Sequence, residues 1–97
     1  MLTNEQEKYE NLKYFIESYF NWSMDYTDLG KLIEEYEERE SSLHVDGLVQ
    51  EIKEIRELRN WEEIKDFVYL HGRRNLSNKK IEQMIELFMV KLTDFNR

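Results

Sequence analysis

Along this 97-residue chain, apolar side chains recur three and four positions apart in one stretch after another. That spacing gathers one face of an α-helix and does not suit a strand, whose side chains repeat every two residues. Leu12, Phe15, Ile16, Tyr19 and Phe20 form the first stripe, and Leu29, Leu32, Ile33 and Tyr36 the second. Val45, Leu48, Val49, Ile52, Ile55 and Leu58 form a third, Trp61, Ile64, Phe67 and Val68 a fourth, and Ile81, Met84, Ile85, Phe88 and Leu92 a fifth. Proline is absent, and the three glycines, Gly30, Gly47 and Gly72, stand singly. No composition shift marks a linker, so residues 1–97 read as a single domain. The expected fold is all-α: a compact bundle of about five short antiparallel helices, with no sheet.

The ends of the helices can be read from capping chemistry. The first should run from near Asn4 to near Trp22. Thr27 is placed to cap the second, and Ser41 or Ser42 the third, which should extend to about Arg59. Asn60 with Glu63 three residues on reads as a capping box for the fourth, which stops at Gly72. After a loop from Arg73 to Leu76, Ser77 should cap a last helix running nearly to the end of the sequence.

Charge narrows the function classes. Twenty-one acids against 14 bases give a net charge of −7, which repels nucleic acid and anionic membranes and favours a basic partner. The excess is concentrated: Asp25 to Glu40 carries seven acids and two bases, whereas Phe67 to Arg97 carries six bases and three acids. With Leu29, Leu32, Ile33 and Tyr36 turned inward, Asp28, Glu34, Glu35 and Glu38 must form an anionic face on the second helix. The same residues would also serve as a solvated face that keeps the chain dispersed. Their mutual repulsion, a few tenths of a kcal/mol per close pair, invites an external cation. Asp25 flanks the face, and Trp22 and Tyr26, in the break between helices, are candidate aromatic anchors at its edge.

Signals for catalysis are weak. The chain has no cysteine, which removes disulfides, thiolate zinc sites and a cysteine nucleophile and suits a reducing compartment. It has no glycine-rich phosphate loop, no nucleophile elbow and no H-E-x-x-H. His44 with Asp46 could pair a base with a carboxylate, but no further ligand or nucleophile accompanies them. His71 reads as a cation near a helix C-terminus. The bases around the loop, Arg73, Arg74, Lys79 and Lys80, are too few for a nucleic-acid footprint and more naturally balance the acidic helices. No catalytic residue, cofactor or metal ligand is assigned. The acidic, polar first ten residues lack a signal-peptide pattern, and no apolar run approaches a membrane span, so the cytoplasm is the expected location.

The run Leu12-Lys13-Tyr14-Phe15-Ile16-Glu17-Ser18-Tyr19-Phe20 is followed by Asp25-Tyr26 and then by the acidic stretch Asp28 to Glu40. With Glu51-Ile52 and Leu58 in the third helix, this order resembles the small helical immunity proteins of contact-dependent growth inhibition systems. The resemblance implies a non-catalytic protein that binds and neutralises the C-terminal toxin domain, often a nuclease, of a delivered effector. An acidic helix face would block the basic site of such a toxin. The contrasting reading is a regulatory or scaffold subunit of another complex.

Overall fold

The computed structural model describes residues 9–21 and 24–93 and has the all-α architecture expected. Helix α1 spans Glu10–Ser18, and a 3₁₀ turn at Tyr26–Asp28 leads into α2, Leu29–Arg39. Helices α3 (Ser42–Leu58), α4 (Trp61–Gly72) and α5 (Asn78–Thr93) follow, with no strand among the described residues. The start expected near Asn4 lies outside the described residues.

Helix α5 is the centre of the bundle, lying against α2, α3 and α4, while α1 closes the other side across α3 and α4. Its stripe of Ile81, Met84, Ile85, Phe88 and Leu92 is buried throughout. The opposing stripes meet it: Phe88 packs edge-to-face on Phe15 with ring centroids 5.0 Å apart, and Phe15 packs likewise on Tyr36 at 5.5 Å. Such aromatic pairs add about 0.5–1.5 kcal/mol to the burial of their surface.

The third stripe is corrected at its end. Leu48, Ile52 and Ile55 are buried, Val45 and Val49 are partly buried, and Leu58 is 57% exposed. Leu58 sits in the last turn of α3, where Arg59 takes a left-handed conformation with φ 56° and turns the chain toward α4, leaving nothing to cover it. Trp61 and Phe67 are likewise only partly buried against the core.

Several helix ends depart from the capping pattern. Helix α1 stops at Ser18 instead of near Trp22, because Phe20 N–H turns back to the carbonyls of Phe15 and Ile16 and carries its ring into the core. Thr27 is not the cap of α2: it lies within the 3₁₀ turn, and Asp28 precedes the helix without a side-chain capping bond. Ser41 Oγ does accept from His44 N–H at 3.4 Å, and Ser77 Oγ from Lys80 N–H at 3.2 Å. Asn60 and Glu63 meet side chain to side chain, Nδ2 donating to Oε1 at 2.8 Å, and the Asn60 side chain makes no capping bond to the backbone.

Gly72 ends α4 for a different reason from the one its type suggests. The left-handed residue is Arg73, at φ 58°, and no glycine has positive φ among the described residues. A Cβ on Gly72 would lie 2.7 Å from Ile16 Cγ2. The missing side chain is what lets α4 lie against α1.

Candidate protein-binding surface

Helix geometry sorts the acids of α2 into two groups. Leu29, Leu32, Ile33 and Tyr36 are buried, which fixes the helix rotation. Glu34 and Glu38, four residues apart, then share the exposed outer face with Lys31, and Asp28 stands exposed at its N-terminal end. Glu34 is answered across the seam by the ammonium of Lys91 on α5. Glu35 is half-buried and turns the other way, lining a shallow hollow with Tyr14, Tyr19 and Arg39. The four carboxylates assigned to one anionic face therefore do not act as one: Asp28, Glu34 and Glu38 look outward, and Glu35 looks toward α1.

Beyond that hollow, Glu40 at the end of α2 accepts hydrogen bonds from the Tyr14 hydroxyl at 3.0 Å and the Tyr19 hydroxyl at 2.7 Å. Burial first and the Glu40 hydrogen bond second push the Tyr19 hydroxyl up to about 12. The same Glu40 bond is the main cause raising Tyr14. Glu40 thus ties α1 to the α2–α3 connection, where Tyr36 OH also donates to the His44 carbonyl at 3.4 Å.

The edge of the expected site is tied inward as well. Asp25 is exposed, and Tyr26 is half-buried. The Tyr26 hydroxyl donates to the Lys80 carbonyl at 3.0 Å while Lys80 Nζ lies 4.8 Å above its ring. Burial raises the Tyr26 hydroxyl. Arg74 holds the segment before the 3₁₀ turn: its guanidinium donates to the carbonyls of Asn21, at 2.8 Å, and Met24, and stacks 4.1 Å over Phe20. Desolvation lowers the Arg74 pKa, with Asp25 opposing, so this base is a structural clamp. Trp22 lies outside the described residues.

A carboxylate contact away from this surface involves Glu51, which is half-buried on α3. Its Oε1 accepts from Leu12 N–H at 2.8 Å and its Oε2 from Asn11 N–H at 3.0 Å. Those are orphan donors of the first turn of α1, so a residue of α3 caps α1. Burial raises the Glu51 pKa and outweighs the three hydrogen bonds that oppose it. In sequence, its one signal is an acid lying beside the Leu48, Ile52 and Ile55 stripe.

His44 and Asp46 are both exposed and, two residues apart on α3, point to different sides of the helix. The His44 ring stacks on Tyr14 at 6.1 Å. His71 Nδ1 lies 3.3 Å from Glu17 Oε2 and joins α4 to α1. Among the described residues, no group of three or more His, Cys, Asp or Glu is placed to hold a metal ion. Likewise no described helix is long and apolar enough to cross a membrane. No family model, curated protein or solved structure matches the chain.

Proposed function

We propose that this chain is a non-catalytic immunity protein that binds and neutralises the toxic C-terminal domain of a contact-dependent growth inhibition effector in the cytoplasm of the producing cell. The observation that carries this reading is the outward face of α2, where Asp28, Glu34 and Glu38 are exposed and only Lys31 of the same face opposes them. Exposed carboxylates on a rigid helix steer a basic partner and align it before close contact forms. A nuclease, whose phosphate-binding site is necessarily cationic, has the matching chemistry.

The test is to express the C-terminal domain of an effector encoded directly upstream of this chain and to measure protection of the cells; a housekeeping neighbour in that place would favour the scaffold reading instead. Reversing Asp28, Glu34 and Glu38 to Lys, the three exposed acids of this face, should abolish protection, and the Glu34→Lys change also sets one ammonium against that of Lys91. Reversing Glu54, Glu57 and Asp66, exposed on α3 and α4, should leave it intact. Association of the purified pair should slow steeply between about 50 and 500 mM salt, with dissociation changing less. Equal protection by both triple variants would show that the α2 face is a solvated surface and nothing more.

A further inference from the structure

We propose that Lys91 is a built-in counter-ion of the α2 face. In the free protein its ammonium holds the Glu34 carboxylate, and in the complex a cationic side chain of the basic partner takes its place. This inference rests on the functional reading above and names what tunes the strength of that face.

Glu34 passes over the base nearest to it in sequence. Lys31 lies three residues before it on the same exposed side of α2, yet the ion pair is made across the seam, to the half-buried Lys91 of α5. Gly30 opens the path. It stands one turn before Glu34, and an ideal Cβ there would lie 3.4 Å from Lys91 Cε and 3.9 Å from Lys91 Nζ. The Lys91 stem thus runs over Gly30, in space that a larger side chain would fill, and carries its charge to the next turn of α2. Glycine is a poor helix former, and here its missing side chain admits a cation from another helix.

That cation changes what a partner meets. Asp28, Glu34 and Glu38 stand on the outward face with Lys31, an excess of two negative charges. With the Lys91 ammonium laid against Glu34, the excess falls to one.

The pair is also replaceable. Its Lys91 and Glu34 side chains are 31% and 50% exposed, and an ion pair open to water contributes little to stability. Releasing the ammonium therefore costs the fold little, whereas breaking a buried pair would strand an uncompensated charge. A guanidinium is well suited to displace it, because its planar fork meets both carboxylate oxygens while an ammonium acts as a compact point charge. A cation that brings no other contacts gains little by the exchange. The resident lysine thus favours a partner that also engages the rest of the face.

The experiment is calorimetric titration of a catalytically inactivated C-terminal domain of the effector encoded directly upstream of this chain into the parent protein and a set of variants. Lys91→Met keeps most of the stem and removes the charge, and should tighten binding about threefold or more. Lys91→Gln should act in the same direction and serves if the methionine variant fails to give a helical circular dichroism spectrum. Lys65→Met removes one charge from α4, outside the face, and should change affinity less than about twofold. In a Glu34→Gln background the gain from Lys91→Met should fall below about twofold, because the ammonium then has no carboxylate to occupy. Unchanged or weaker binding by the Lys91 variants, or a gain that persists without the Glu34 carboxylate, overturns the counter-ion role while leaving the functional reading in place. No binding by the parent protein overturns the functional reading itself, and this role with it.

Discussion

Asn11 gives both its backbone N–H and its side-chain amide to one oxygen of Glu51, forty residues away, at 3.0 and 2.9 Å. The contact joins the first turn of α1 to the middle of α3. Gly47 makes room for it, since a Cβ there would fall 2.5 Å from Asn11 Nδ2. Glu51→Ala should therefore cost about 1–3 kcal/mol in chemical denaturation, the range for leaving buried donors without an acceptor. The pH sign follows from burial, which holds the Glu51 pKa above its ordinary value of 4.5. The folded state then binds the proton more tightly than the unfolded chain, and stability falls as pH rises through that window. The difference between the parent and Glu51→Ala should grow as pH is lowered from neutrality toward 4.5. A difference that shrinks would show that the three donors outweigh burial.

The same substitution at two glycines should have opposite signs. Gly72→Ala drives a Cβ to 2.7 Å from Ile16 Cγ2. Ile16 is fully buried, so the overpacking cost of about 1–3 kcal/mol exceeds the helix-propensity gain of about 1 kcal/mol. Gly30→Ala meets the far end of the Lys91 side chain at 3.4 Å and Leu87 Cδ2 at an ordinary contact distance of 3.9 Å, and should stabilise by up to about 1 kcal/mol. Thermal unfolding of the two variants decides this, and a stabilised Gly72→Ala would mean that α1 and α4 can move apart at little cost.

Tyr19 supplies an alkaline prediction. Its hydroxyl is held at about 12 by burial and Glu40, against the ordinary 10.0. A raised folded value for a phenol means that its stabilising contribution is whole below pH 10 and is lost as pH climbs through 12. Tyr19→Phe removes that dependence together with one bond to Glu40. Denaturation midpoints of the parent should fall more steeply between pH 10 and 12 than those of Tyr19→Phe. Parallel curves would count against the burial of the Tyr19 hydroxyl first and its bond to Glu40 second.

Two residues of the α3 stripe should separate on truncation. Ile52 is 1% exposed and Leu58 57%. Ile52→Ala should cost about 2–4 kcal/mol through lost burial and a cavity, and Leu58→Ala less than about 0.5 kcal/mol. Similar losses measured by urea unfolding would show that Leu58 is covered in solution.

Much of the architecture is legible in the sequence because helices bury one face each. The residues at i, i+3, i+4 and i+7 of α2 and α5 are the ones found in the core, and Ser41 and Ser77 cap as their type suggests, because both effects act within one turn of chain. Leu58 escapes such a reading because periodicity says which side of a helix a residue occupies and nothing about where the neighbouring helix ends. Thr27 escapes it because the capping position depends on φ and ψ, which the 3₁₀ turn at Tyr26–Asp28 shifts by one residue.

The candidate surface divides the same way. Local spacing is enough to place Asp28, Glu34 and Glu38 outward on α2, since each lies away from the apolar stripe. Only the tertiary structure turned Glu35 toward α1, brought Lys91 to Glu34, made Arg74 a clamp on Asn21 and Met24, and made Glu51 the cap of α1. Each of those is an electrostatic contact between residues at least 39 positions apart or a consequence of which helix lies alongside. Charge is felt through space, so its partners are set by packing and not by the order of residues along the chain.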